Sequence, residues 1–448
     1  MGETRVRRRD EIMKIFTINC QRIIGWLLAF FFMVGKWTPS RLIADSESEG
    51  LFFIELRLIS LVGILILTGW MEGQNQRKRV TKLPRPRIKV LSFFIYSFLI
   101  WAMFAAAWAP DIDLALPKFF DVLLLFFLVV ALQINLGKDN ADELLYGFWT
   151  GMLGIGGVMA TLALGTTAVG DSLGSQKDRT TVLGGGSIIL GRNMGLMILA
   201  AFYLQSRLRF RWVNVKPGLM FTALIGAVVI LLTGSRGALL ASVGAGAVYF
   251  VLERKSWSKN VVIAFAAFAV FLIFLFTTRV GQDAQVMFVT RVINLTFEEN
   301  YTAGRNYLWY VAMEMTRENP FLGVGLSGFE AAEITIKSEI MSYPHNIVLE
   351  ILCETGIIGF LLFLSAGIAG ICALRRNWRF INIVSLAALV LNLILAQSSG
   401  QIFDSRGLII FLYLSLIPDR TKFYSGGRSR EQKAVGRAES KPLRSRVI

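Results

Sequence analysis

Two kinds of side chain stand where they could do chemistry in this sequence: one histidine, and several arginines at or inside apolar runs. His345 is the sole histidine among 448 residues. It falls where a long polar segment, about 279–346, meets the hydrophobic run 347–373. Tyr343-Pro344 favours an extended entry, because the residue before a proline is pushed out of the α region. An apolar helical pattern begins at Ile347. The imidazole is therefore expected at a membrane surface, at or just before the start of a spanning helix. A group that gives and takes protons near neutral pH suits acid–base chemistry there.

The arginines are the second clue. Arg236 follows Thr233-Gly-Ser at the start of a span, Arg192 lies in Gly191-Arg-Asn-Met-Gly195 a turn or so inside another, and Arg305 stands in Ala303-Gly-Arg-Asn-Tyr-Leu-Trp309 of the polar segment. An intramembrane arginine costs several kcal/mol unless it faces a cavity or a partner. Guanidinium groups bind phosphate oxygens through planar, paired hydrogen bonds and stay charged. A phosphate-bearing lipid headgroup is the natural ligand at that depth. Each residue also has a plain alternative: Arg236 snorkelling to the interface, Arg192 paired with a carboxylate of a neighbouring helix, Arg305 capping its own helix, His345 as an interfacial histidine. Glu350 and Glu354 share a helix face at i and i+4; Glu354 would orient a neighbouring group or pair with an arginine. Gly323 and Gly325 are too short a pattern for a nucleotide fingerprint.

The elements that must position these groups are membrane helices. Hydrophobic residues make up 54% of the chain and mean hydropathy is +0.56. Twelve apolar runs approach the length needed to cross ~30 Å of hydrocarbon: about 23–42, 51–71, 90–109, 119–137, 144–169, 187–205, 217–233, 236–252, 260–277, 347–373, 380–398 and 402–417. Gly234-Ser235 between two of them implies a tight helical hairpin. The net charge of +16 suggests nucleic acid at first sight. Most of the 47 lysines and arginines, however, fall in loops on one side of the alternating spans, which is membrane topology and not a nucleic-acid footprint. Both termini are then cytoplasmic, and 279–346 faces periplasm or cell exterior. Cys20, Cys353 and Cys372 form no metal or disulfide pattern and read as packing residues.

The organisation is thus an all-α polytopic membrane protein: a basic cytoplasmic N-terminus (1–22), nine spans (23–277), an outward loop (278–346), three spans (347–417), and a basic, disordered cytoplasmic tail (418–448). Arg5, Arg7, Arg8 and Arg9 before the first run make it a retained anchor. The loop 76–89 reads as a retention signal touching anionic headgroups. Within the outward loop, 301–319 has helical spacing ended by Asn319-Pro320, 321–329 is a glycine-punctuated turn, and 331–340 reads as a second short helix. Together they make a small helical cap.

Pro344-His-Asn-Ile-Val-Leu-Glu-Ile-Leu-Cys-Glu-Thr-Gly-Ile-Ile-Gly359 resembles the signature of the O-antigen ligase and polymerase superfamily, in which His-Asn and a leucine precede Glu-x-Gly-x-x-Gly. Gly304-Arg-Asn-Tyr-Leu-Trp309 with Asn319-Pro-Phe-Leu-Gly-Val-Gly-Leu326, Ser235-Arg-Gly-Ala238 and Gly191-Arg-Asn193 are similar to its further motifs. The resemblance implies a GT-C-like membrane glycosyltransferase of the bacterial inner membrane. Such an enzyme moves a glycan from a polyprenyl diphosphate carrier to a hydroxyl of lipid A core, another glycan or a protein at the periplasmic face, without nucleotide or metal. By carry-over His345 is the catalytic base or acceptor-orienting group. Arg192, Arg236 and Arg305, with Asn193 and Asn346, hold the diphosphate and glycan; Glu354 and Tyr343 support them. The rival reading is a glycolipid transporter or flippase without bond chemistry, for which mid-bilayer charges and repeated halves would be expected.

Overall fold

The computed structural model describes residues 2–34, 56–75, 88–138, 140–169, 180–182, 186–207, 216–253, 304–336, 339–404 and 406–418, with isolated positions between 277 and 289. The expected span at 260–277, the basic loop, the first part of the outward loop and the tail lie almost wholly outside these residues. The helices are α1 (Gly2–Val34), α2 (Leu56–Asn75), α3 (Lys89–Phe104, extended by a 3-10 turn to Trp108), α4 (Ile112–Leu136), α5 (Ala141–Val169), α6 (Ser187–Arg207), α7 (Lys216–Leu232), α8 (Arg236–Leu252), α9 (Arg305–Glu318), α10 (Ile347–Asn377), α11 (Ile383–Ala396) and α12 (Arg406–Ser415).

Among the described residues, seven segments are long and apolar enough to cross a membrane, in α1 to α6 and α10; α7, α8, α11 and α12 are apolar but shorter. Ile66, Phe93, Val158, Phe221 and Leu240 are exposed, as lipid-facing side chains of a polytopic membrane protein must be. Inside, one core runs through the bundle, with Phe148, Trp149, Tyr203 and Phe411 buried together. Where two helices come closest, glycine is the reason: a β-carbon on Gly25 of α1 or Gly147 of α5 would strike the other helix's backbone.

Several boundaries follow directly from local chemistry. Asp111 caps α4 by accepting from the amides of Asp113 and Leu114, and Ser235 caps α8 through Ala238. Gly234, at φ +57°, closes the α7–α8 hairpin, as expected from Gly234-Ser235. The first helix begins well before residue 23, and its membrane segment is Thr17–Val34.

The region 331–340 is not a helix. After one helical turn (Gly328–Ala331), Thr335–Ile336 (β1) pairs antiparallel with Glu339–Ile340 (β2). Thr335, Ile336 and Ile340 are β-branched, and such residues favour the pleated ribbon over a marginal isolated turn of helix. The cap segment is therefore α9, a glycine turn and this ribbon, packed through Leu308, Ala312, Phe329 and Ile334 against Cys353 of α10.

α10 is broken. Gly356 has φ +67° and ψ −171°, far outside helical values and open only to glycine. The break frees backbone groups, and the glycine turn satisfies them. Val324 and Gly325 amides donate to the carbonyls of Cys353 and Glu354 (2.8 and 3.1 Å), and Ile357 donates to Pro320 (2.9 Å). A β-carbon on Gly323 would lie 2.5 Å from the Glu354 carbonyl carbon, and one on Gly356 would strike the Phe321 carbonyl. The two glycine motifs read from the sequence are thus the two halves of one clamp.

Candidate functional site

The clamp fixes the first turns of α10, and His345 stands just ahead of them. Asn346 is the helix cap, its side-chain oxygen accepting from Val348 and Leu349 at 2.9 and 3.2 Å. His345 is left-handed, at φ +56°. Its ring lies 4.3 Å, centroid to centroid, from that of Tyr343, and its Nδ1 is buried without a hydrogen-bond partner. Burial, then the charge of nearby Arg305, pushes its pKa down from 6.5 to about 4. The imidazole is therefore neutral at pH 7 and able to accept a proton.

Tyr343 in turn is held by the loop 397–404, through hydrogen bonds with the Ser399 side chain and the Gly400 backbone. Burial and the Asp404 charge raise its pKa, so the phenol keeps its proton. α11 and α12 explain why this loop reaches the site. At 1.5 Å per residue they span only ~21 and ~15 Å, and their far ends meet where Asn382 donates to the Ser415 carbonyl. The loop between them is consequently sunk within the bundle end, with Ile402 and Phe403 buried.

Arg192 closes the arrangement. Together with Ile188, Tyr343, Ser399, Gly400 and Asp404 it lines a small cavity of about 60 Å³. Its guanidinium lies 4.8 Å from the Phe32 ring and donates through Nη1 to the Asp404 carbonyl at 3.4 Å, while Nε has no partner. A buried, under-satisfied guanidinium on a cavity wall is ready for an anion. Arg236 begins α8 at this same end of the bundle: Gly191, beside Arg192, packs on Ala238, and Gly237 packs on Ser398. Asn193 points elsewhere, its Nδ2 3.4 Å from the Met33 carbonyl. Arg192 and Tyr343 share the cavity, His345 reaches it through its contact with Tyr343, and Arg305 lies near His345; Arg236 starts the adjoining α8, the Asn193 amide turns toward Met33, and the Asn346 side chain caps α10.

Sequence reasoning missed three features. Lys118 of α4 is buried and donates to Glu350 Oε1 (2.6 Å) and to both Glu354 oxygens (2.8 and 2.7 Å). Glu354 thus pairs with a lysine, not an arginine. Arg406 is buried against Phe32 and Phe403 and donates to the Phe32 carbonyl at 2.8 Å. Arg57 pairs with Asp121 at 2.6 Å, over the Phe403 ring. The available signal was a charge inside an apolar run, which demands a partner wherever it occurs.

Residues 221–364 match the family described as O-Antigen ligase (Wzy_C). The resemblance drawn from the motifs is thereby shown over this stretch, which runs from α7 through the cap segment into α10 and contains Arg236, Arg305, His345 and Glu354. The match indicates a ligase- or glycosyltransferase-type enzyme in a membrane. A search of curated proteins finds no match. Arg192, Asp404 and Arg406 stand outside the O-antigen ligase segment, yet the fold brings them to its end of the bundle.

Proposed function

We propose that the chain transfers a polyprenyl-diphosphate-linked glycan to an acceptor hydroxyl at the periplasmic face of the inner membrane, as an O-antigen ligase or polysaccharide polymerase. The observation that carries this reading is the cavity shared by Arg192 and Tyr343, with the neutral His345 ring in tilted contact with the Tyr343 ring. The acceptor oxygen attacks the sugar's anomeric carbon, the bond from that carbon to the diphosphate oxygen breaks, and the acceptor proton passes to His345. Arg192, Arg236 and Arg305 offset the negative charge that grows on the departing diphosphate, in a partly dehydrated site where fixed charges act strongly. An imidazole with a pKa of about 4 is a weak base. A bound diphosphate would neutralise Arg305 and remove one of the two causes of that low value, so donor binding itself makes the base stronger. The lipid tail of the carrier stays in the bilayer beside the helices.

The test is reconstitution of the purified protein in lipid nanodiscs with a polyprenyl diphosphate glycan and, separately, lipid A core or free glycan as acceptor, with the product identified by mass spectrometry. Transfer is expected with the wild type and should be lost in His345→Ala at normal protein level. Full transfer by His345→Ala removes His345 from the mechanism. Movement of the glycolipid across the bilayer with no new glycosidic bond would make the protein a transporter.

A further inference from the structure

The buried Lys118–Glu350–Glu354 cluster touches no part of the cavity, yet it links both of its walls. Lys118 has three N–H donors and spends two on Glu354 and one on Glu350 Oε1. The same Glu350 Oε1 accepts from the Ile402 amide at 3.3 Å, in the sunken loop between α11 and α12. Two residues further, Asp404 presents its carbonyl to Arg192. Five residues before Glu350 stands His345. One carboxylate oxygen therefore ties the helix start behind the imidazole to the loop in front of the guanidinium. Tyr343, through Ser399 and Gly400, is the second tie between the same two segments.

We infer that Glu350 is a positioning residue: the geometry of Oε1, accepting at once from Lys118 and Ile402, sets the separation between His345 and the Asp404 loop against Arg192. This rests on the transfer reading of the site for its catalytic consequence, but not for its structural one. What matters is the reach of the acceptor and not the charge. Glu350 Oε2 is buried without a partner, and one ammonium faces two carboxylates, all three buried. A neutral group of the same length at 350 keeps the acceptor and leaves Lys118 balanced one to one by Glu354. A shorter carboxylate keeps the charge and withdraws the oxygen.

The experiment compares Glu350→Gln, Glu350→Asp and Glu350→Ala in the full chain. Spin labels on Ser342→Cys and Gln401→Cys, with Cys20, Cys353 and Cys372 replaced by serine, report the distance between the two segments by pulsed EPR. The distance distribution should be as narrow in Glu350→Gln as in the parent and clearly broader in Glu350→Asp and Glu350→Ala. In the transfer assay, Glu350→Gln should keep kcat within about threefold, and Glu350→Asp should lose about tenfold or more despite its charge, with acceptor KM little changed. An activity order of Asp above Gln would make the charge decisive and overturn the inference; so would unchanged EPR distributions in Asp and Ala. Because Asp keeps the ion pair's charge, it serves where Ala fails to accumulate. Normal EPR behaviour with no transfer by the parent chain would instead overturn the transfer reading and leave the positioning inference standing.

Discussion

The protonation state of His345 can be measured directly, because no other histidine exists in the chain to confuse the signal. Protein labelled with ¹⁵N-histidine and purified without a histidine tag should give one imidazole spin system. Its expected pKa is about 4, against 6.5 for the free side chain. At about 1.36 kcal/mol per pH unit, that gap of about 2.5 units means the folded protein disfavours the charged ring by about 3 kcal/mol. The sign is that of a base depressed by folding: between pH 6.5 and about 4 the unfolded chain binds more protons, so His345 removes stability as pH falls through that window and costs nothing above it. Two causes act, burial first and the Arg305 charge second. Arg305→Met removes only the second, so the pKa should rise but stay below 6.5. Undecaprenyl diphosphate added to nanodiscs should move it in the same direction by setting two or more negative charges beside Arg305, and should move it less in Arg305→Met. The acid limb of kcat/KM must follow: flat transfer rates from pH 8 down to about 5 in the wild type. A titration midpoint near 6.5 in the wild type, or none of these shifts in Arg305→Met, would refute the account of a buried ring under a cation.

The clamp and the ionic cluster give two further expectations. Gly356→Ala places a β-carbon against the Phe321 carbonyl at a φ/ψ pair closed to alanine, so it should cost ~3 kcal/mol or more and release the glycine turn; limited proteolysis should then cut within 319–328, and wild-type resistance there would count against the clamp. Lys118→Met leaves two carboxylates buried without their cation, a loss of about 3–5 kcal/mol that should lower the thermal midpoint in detergent. Adding Glu350→Gln and Glu354→Gln to Lys118→Met should restore most of that midpoint, and an unchanged midpoint in Lys118→Met alone would show the cluster to be dispensable.

What could be read from the sequence was what the sequence encodes locally. An apolar run long enough for a helix, a serine before Arg236 and a glycine at 234 are all short-range signals, and α8 begins at the expected residue. His345 was likewise legible as a polar residue at the foot of an apolar helix. Partnerships across the chain were not. The break in α10 at Gly356 lies inside one long helical run, where a single glycine does not announce a break, and its compensation comes from residues some thirty positions upstream. Lys118 meets its carboxylates 232 and 236 residues away. The ribbon at Thr335–Ile340 was mistaken for a helix because so short a stretch fits either period, and β-branched residues decide it only weakly.

These non-local partnerships converge on one short piece of backbone. Gly356 disconnects the turns from Ile347 to Thr355 from the rest of α10, so that piece cannot rely on helix continuity for its position. It is fixed from four directions: by the glycine turn on the Cys353 and Glu354 carbonyls, by Lys118 on its two carboxylates, by Trp101 on the Thr355 carbonyl at 2.9 Å, and by Ile402 on Glu350. A continuous helix would place its N-terminus by packing along its whole length, and bending or tilting would move His345 with it. A severed one, held by short polar contacts to α3, α4, the cap segment and the sunken loop, places the imidazole against the elements that carry the arginines. On the proposed transfer reading, the site has to align a proton acceptor, an acceptor hydroxyl and a lipid-borne diphosphate to within a fraction of an ångström, and it gains from that arrangement.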